Sequence, residues 1–388
     1  MRKQIRTYYI SNTVINTSMC FMGTTYILFL RKVGLTFLEI GLINIAYSLT
    51  VMFLNVPTGV IADAIGRKTS FVIGCFLNAI ALTSYFFATS FLHCFLVEIL
   101  AGVGMAFLSG SLVSHLVDKL KENGREKETN KVLSLSGAIN TLVSMGAGAL
   151  GALIGKNDLA IPFLMCGATS FVAGIYAWHC LEEPARNGFS KVNMFRETIS
   201  GIKKVLNSEK VFLLAMILAG STFLFQFFIK MWAPYLKESV GSQENFAWIW
   251  VVFMAGAFLG NCLSYFVGTR HFLALFVSRI FLALSLPLCI LAPGLFSKVM
   301  CLSVLEISQG ASGPLFNTEI SKHIDSARRA TVMSAVAMVS SLGSMLGLLS
   351  GVFADKFSVG VTWLSAGGLA LIFFIYLGTR YLRSQNPR

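Results

Sequence analysis

Two glutamates stand inside otherwise apolar runs, at the head of "EILAGVGMAF" (Glu98) and of "EISQGASGPL" (Glu306). Each lies seven to nine residues into its run, about 10–13 Å deep at 1.5 Å per helical residue. An ionised carboxylate at that depth is costly, so it must be paired, hydrated or protonated. A carboxyl that moves between those conditions as its surroundings change can carry a proton. The competing use is a structural hydrogen bond that joins its helix to a neighbour.

A second constellation is "TGVIADAIGRKTS", residues 58–70, with Gly59, Asp63, Gly66, Arg67 and Lys68 at the end of an apolar run. Asp63 falls where lipid meets water, and an unpaired charge there is expensive. The positive N-terminal end of a neighbouring helix would satisfy it. Gly59 and Gly66 permit close approach and a tight turn. Other polar residues fall within apolar runs: Asn16, Tyr26, Asn44, Asn55, Asn140, Gln226 and Asn261. Each either lines a substrate path or satisfies a neighbour's backbone. Lys230 is expected to snorkel to the outer surface. Arg279 either pairs with an acid or reaches the headgroups, and the five histidines fall near segment ends, where surface roles are expected.

The elements that must position these groups follow from composition. The chain has 388 residues, 55% hydrophobic and only 13% charged, with a mean hydropathy of +0.72. A soluble domain runs nearer a quarter charged, because its surface must face water. The apolar residues come in runs of about 20, the length that crosses a hydrocarbon core as helix. Twelve such segments are legible, near 8–30, 37–61, 69–89, 91–117, 130–154, 159–181, 211–236, 245–267, 271–292, 297–320, 328–354 and 358–382. The reading is an all-α polytopic membrane protein. With the N-terminus in the cytoplasm, 24 of the 31 Lys and Arg fall on the cytoplasmic side and 7 outside. That bias predicts both termini inside by the positive-inside rule. The net charge of +13 is therefore a topology signal, and no nucleic-acid partner is expected.

Several other readings fail. The N-terminal run is too long for a signal peptide, and no small-x-small cleavage site follows it. The eight cysteines lie in apolar segments with no CxxC pair, which suggests neither a metal site nor a disulfide framework. "GALIGK" at 151–156 lacks the first Gly and the final Ser or Thr of a phosphate loop. The longest polar stretch, 182–210, is too short for a folded core. No enzyme activity, cofactor or metal is expected.

That polar stretch also divides the chain. Met194, Phe195, Ile199, Ile202 and Leu206 recur at helical spacing among charges, which predicts a short helix along the membrane surface. The expected organisation is a six-helix half at 1–181, a cytoplasmic linker at 182–210 and a second six-helix half at 211–388. The halves resemble each other. Glu98 and Glu306 are 208 residues apart, as are His115 and His323. Val132 with Val332, Ser134 with Ser334 and Gly151 with Gly351 share an offset of 200. Pseudo-symmetric repeats of this kind mark transporters that bind substrate between halves near mid-membrane.

With these residues assembled, the chain resembles the major facilitator superfamily over essentially its whole length. The family's loop signature is Gly, three residues, Asp, two residues, Gly, Arg, then Lys or Arg. Here it stands as Gly59, Asp63, Gly66, Arg67 and Lys68. The resemblance implies a cytoplasmic gate in which Asp63 meets the eleventh helix and Arg67 meets Asp118. Antiporters of the family carry a Gly-rich fifth helix with a Pro; "SMGAGALGALIG" at 144–155 has the glycines and lacks the Pro. Where the family often has Arg in helix 4, this chain has Glu98. The resemblance is to the drug:proton antiporter branch. It implies proton-coupled export of a small amphipathic compound by alternating access, from a bacterial cytoplasmic membrane, by a monomer. The alternatives are a proton-coupled importer of a nutrient, or a non-transporting sensor with the same fold.

Overall fold

The computed structural model describes residues 2–183, 205–268, 270–324 and 329–385. Met194, Phe195, Ile199 and Ile202, which carry the expected linker helix, lie outside the described residues. Among the described residues the regular elements are all helical. Hydrocarbon offers no water to a free N–H or C=O, so each helix must use its own backbone groups internally.

The first stretch contains α1 (Arg2–Cys20), α2 (Tyr26–Val33), α3 (Phe37–Ile65), α4 (Arg67–Ser84), α5 (Phe91–Leu108), α6 (Ser111–Glu122), α7 (Thr129–Ile154) and α8 (Ile161–Cys180). The second contains α9 (Glu209–Val240), α10 (Phe246–Tyr265), α11 (His271–Leu291), α12 (Gly294–Ser321), α13 (Arg329–Leu348), α14 (Gly351–Phe357) and α15 (Val359–Gln385). Among the described residues, 10 helical stretches are long and apolar enough to cross a membrane. The segments at 8–30 and 297–320 are not among them. The former is split between α1 and α2, and α12 carries Glu306, Gln309, Glu319 and five serines.

The chain forms two compact units. Unit 1 takes in the described residues of 1–35, 42–191 and 241–251; unit 2 takes in those of 36–41, 192–240 and 252–388. Within unit 1, α4 packs on α5 and α8, and α1 packs on α7 and α8. Within unit 2, α11 packs on α12 and α15, and α9 packs on α13 and α15.

Polarity is arranged for lipid. Phe87, Leu92, Leu291, Leu369 and Ile372 are exposed, while Ser11, Ser70, Ser170, Ser221 and Ser285 are buried. Large exposed apolar patches mark a surface that water does not cover. Small buried serines let helices approach closely, and Ser70, Ser221 and Ser285 return their hydroxyls to nearby carbonyls. Ser221 bonds the Ile217 carbonyl at 2.6 Å and Ser285 the Leu282 carbonyl at 2.8 Å.

Among the described residues, three membrane segments are interrupted, between α1 and α2, between α5 and α6, and between α13 and α14. Gly110 at φ +73° makes the second break, in a conformation that glycine adopts without a Cβ penalty. Each break frees backbone groups that need new partners. Lys230 supplies one: it is buried, and its ammonium donates to the Leu348 carbonyl at the α13–α14 break. The expected snorkelling of Lys230 is thereby corrected. An inward carbonyl freed by the break offers the ammonium a nearer acceptor than the surface does.

Candidate functional site

Glu98 lies in α5, whose start is set by Ser90: the Ser90 hydroxyl accepts from the His93 N–H at 3.3 Å. Ser is a favoured residue at that position because its oxygen satisfies one orphan donor of the first turn. Two turns on, the Glu98 side chain is buried at 7% exposure. Its Oε1 accepts the hydroxyl of Tyr26 at 2.6 Å and that of Tyr85 at 2.6 Å. Both tyrosines stand where regular helix gives out. Tyr26 opens α2 directly after the break, and Tyr85 opens the single turn Tyr85–Phe87 that follows α4. The breaks turn these side chains onto one acid.

The rings are held as firmly as the hydroxyls. Tyr26 and Tyr85 meet edge to face with centroids 6.0 Å apart. Phe163, itself buried, lies 4.8 Å from Tyr85 and 4.9 Å from Phe29. Edge-to-face and tilted pairs at these spacings are attractive. The 2.6 Å contacts fall in the short range for hydroxyls donating to a carboxylate. Oε1 has two lone pairs, and the two phenols occupy them.

Glu306, the repeat-related acid in α12, is buried at 5% exposure. It lies beside Gly256 of α10, where an added Cβ would stand 3.5 Å from the Glu306 Cβ. Among the described residues it has no side-chain hydrogen bond or ion pair. The acid recurs in both units; among the described residues the pair of phenol donors is found around Glu98 and not around Glu306.

The loop constellation is built as follows. Gly66 precedes α4 with φ +105°, and the Glu183 carboxylate occupies the space where a side chain at Gly66 would stand. The Lys68 N–H donates to Glu183 Oε1 at 3.3 Å, so Glu183 serves the positive end of α4. The Lys68 ammonium lies 5.6 Å from the centre of the Trp178 ring. Arg67 Nε meets Asp118 Oδ2 at 3.1 Å, while Arg67 Nη2 stands 3.7 Å from Asp63 Oδ1. Asp63 is exposed, and a Cβ at Gly59 would meet nothing within 4 Å. Residues 325–328, at and just before the start of the eleventh segment, lie outside the described residues. Glu183 and Trp178 are absent from the sequence reading. The signal for Glu183 was present: a Glu-Glu pair follows α8 where the surrounding charge is basic.

The expected path residues divide. Tyr26 joins Glu98. Asn140 Oδ1 accepts from the Thr13 hydroxyl at 3.1 Å. Gln226 Nε2 donates to the Ser344 hydroxyl at 2.7 Å. Asn16 is exposed and donates to the Asn12 carbonyl at 2.7 Å, one turn back in its own helix. Asn44 is half-buried, whereas Asn55 and Asn261 are exposed. Arg279 is buried and donates to the Ser308 carbonyl. His115 Nε2 lies 2.6 Å from the Glu182 carbonyl. Among the described residues, no group of three His, Cys, Asp or Glu side chains is placed to hold a metal ion.

The model of the Major Facilitator Superfamily matches residues 8–348. The uncharacterized MFS-type transporter YxaM of Bacillus subtilis is 21% identical over 94% of this chain and 93% of its own length. The quinolone resistance protein NorA of Staphylococcus aureus is 23% identical over 50% of this chain and 49% of its own. The uncharacterized MFS-type transporter MJ1560 of Methanocaldococcus jannaschii is 25% identical over 47% of each. The chain thus spans about half the length of those last two relatives. Among solved structures, the nucleoside transporter NupG superposes with a TM-score of 0.76 at 15% identity, covering 99% of this chain and 100% of that one. An inward-facing, occupied bacterial homolog of the lysosomal transporter Spinster gives 0.77 at 15%, covering 98% and 96%. At these identities the two structures speak for the fold.

Proposed function

Because the chain belongs to the major facilitator superfamily, we propose that it is a secondary transporter that exports a small amphipathic compound in exchange for protons. In this reading Glu98 is the proton carrier. The observation that carries it is the pair of phenol donors on Glu98 Oε1. They keep the carboxylate tolerable when it is ionised and leave Oε2 open to a proton. The acid can therefore change charge deep in the protein without losing its partners, which is what a coupling residue needs. Glu306, which has no such donors among the described residues, is the second candidate, and its charged form is more dependent on substrate or water arriving.

The rest of the reading follows. Residues 1–181 and 211–388 are two six-helix halves that rock about a site between them, joined by the linker at 182–210. Gly59, Asp63, Gly66, Arg67, Lys68 and Asp118 form the gate on the cytoplasmic side. Both termini lie in the cytoplasm, and the membrane is a bacterial cytoplasmic membrane. Export is favoured by the likeness to NorA, named for quinolone resistance.

The test uses inside-out vesicles with an acidic lumen and a panel of lipophilic cations, antibiotics and siderophore-like compounds. Substrate-evoked proton release is expected, and Glu98→Gln abolishes it. Proton-coupled transport that survives Gln at both Glu98 and Glu306 overturns the assignment. Silence across the panel, with nutrient and protons moving together in right-side-out vesicles, reverses the direction.

A further inference from the structure

Within unit 2 a groove of about 410 Å³ runs between α10, α11 and α12. Leu263 and Val267 line it at the end of α10, Ala274, Val277 and Phe281 from α11, and Leu315 from α12. Its size falls in the range of small-molecule pockets, about 300–1,000 Å³. Its floor is the crossing of α10 and α12, where two glycines bring the main chains together. A Cβ at Gly260 would meet the Ile307 carbonyl, and one at Gly310 the Ala257 carbonyl. Leu263, Val277 and Phe281 are exposed, so the groove is open along its side.

The groove has the length of one leaflet. Its lining on α12 runs from Val304 to Leu315, about 16 Å at 1.5 Å per residue, and half of a hydrocarbon core is about 15 Å. Interfacial aromatics mark one end. Tyr265, 86% exposed, and Phe266 stand edge to face with centroids 5.5 Å apart, and Tyr is enriched where membrane meets water. The same end is positive. Arg270 is exposed and precedes α11, and among the described residues its side chain has no hydrogen bond or ion pair. No described side chain caps α11, so the N–H groups of its first turn add to that charge. Val267 and Ala274 bracket this turn and line the groove beneath it.

An apolar groove alone says little in a protein that lipid surrounds. A leaflet-long groove with an unpaired cation over one end says more. We propose that it holds one acyl chain of an anionic phospholipid, whose phosphate sits on Arg270 and the start of α11. Phosphate is the partner that both a guanidinium and a helix N-terminus favour. A zwitterionic headgroup brings its own cation beside the phosphate and is attracted less. The site lies within one unit and depends on neither the direction of transport nor its coupling.

The probe is phosphatidylglycerol with a diazirine on one acyl chain, added to the full chain in detergent micelles. After photolysis the labelled peptides are mapped by mass spectrometry. Saturable labelling within 260–281 and 304–315 is expected. Unlabelled phosphatidylglycerol should displace the probe at least about fivefold better than phosphatidylcholine, the preference that one basic side chain near an anionic surface brings. Arg270→Gln is expected to remove that preference, Arg270→Lys to keep most of it, and high salt to weaken it in the wild type. Ala274→Phe, which fills the groove below the turn, is expected to lower labelling there and to leave labelling of the α4–α8 face around Ile80 and Phe171 unchanged. Equal displacement by the two phospholipids, or labelling that never saturates, reduces the groove to ordinary lipid contact and overturns the site. A preference that survives Arg270→Gln overturns the phosphate assignment. Palmitate displacing the probe as well as phosphatidylglycerol does overturns the phospholipid in favour of a free acid.

Discussion

Lys230 donates to the carbonyl of Leu348, 118 residues further along the chain. The same separation joins Thr222 to the Ser340 carbonyl at 2.9 Å and Gln226 to the Ser344 hydroxyl at 2.7 Å. The rungs rise four residues at a time on both helices. A constant offset means that α9 and α13 run in the same direction in register, with one polar side chain of α9 per turn facing α13. Along the same seam, an added Cβ at Gly343 or Gly347 would meet the carbonyl of Ala219 or Phe223.

This seam predicts an order of effects. Interhelical hydrogen bonds in membranes average about 0.6 kcal/mol and reach about 1.7. Gln226→Leu should therefore lower stability only within that range. Gly347→Leu should cost more, because it drives two backbones apart. Thermal unfolding in detergent checks the order, and a larger loss in Gln226→Leu would show that the polar rungs, not the close approach, hold the seam.

The Glu98 site predicts non-additivity. Tyr85→Phe removes one of two donors from a buried carboxylate and should cost about 1.5–3 kcal/mol, the range for hydrogen bonds to charged groups. In Glu98→Gln the same tyrosine change should cost distinctly less, since the charge it served is gone. A double-mutant cycle on unfolding measures the coupling. Equal costs in both backgrounds would mean that Tyr85 matters only through its ring packing on Phe163.

Gly66 predicts a partial rescue. Gly66→Ala suffers twice, from a left-handed φ of +105° and from collision with the Glu183 carboxylate. A strained backbone of this kind costs about 1–3 kcal/mol. Adding Glu183→Ala should recover the collision and not the strain. Complete rescue, read from thermal stability, would show that the backbone conformation relaxes freely.

His323 predicts a pH dependence. Its Nε2 lies 2.7 Å from the Tyr381 hydroxyl, which donates to Glu319 Oε1 at 2.7 Å. Burial holds the imidazole below its ordinary value of 6.5, against the pull of Glu319. The unfolded chain thus takes up the proton more readily than the folded one. Stability should be constant above 6.5 and fall as the pH drops below it. His323→Gln should flatten that slope in unfolding measured on either side of 6.5. An unchanged slope would place the sensitivity elsewhere.

Much of this architecture was legible from composition and period. Runs of apolar residues of bilayer length compel helices, because backbone groups have no other partner in lipid. The offset of 208 also proved informative beyond the acids. His115 bonds the Glu182 carbonyl just past α8, and His323 bonds Tyr381 in α15. One histidine thus joins α6 to the residues just past α8, and the other joins the turn after α12 to α15. The breaks were not legible, since α1 and α2 read as one apolar run, and Gly23 within it looks like any other small residue.

The sequence by itself determined the all-helical membrane class, most of the apolar segments and the positions of the two buried acids. Those depend on local hydropathy and on the cost of charge in hydrocarbon, which act residue by residue. Only the tertiary structure decided which acid has donors and which loop residues meet. Tyr26 and Tyr85 reach Glu98 from 72 and 13 residues away, and Glu183 reaches Lys68 from 115. Such pairings are set by how helices pack and where they break. Hydrogen bonds of a few ångströms carry no periodic trace in the chain.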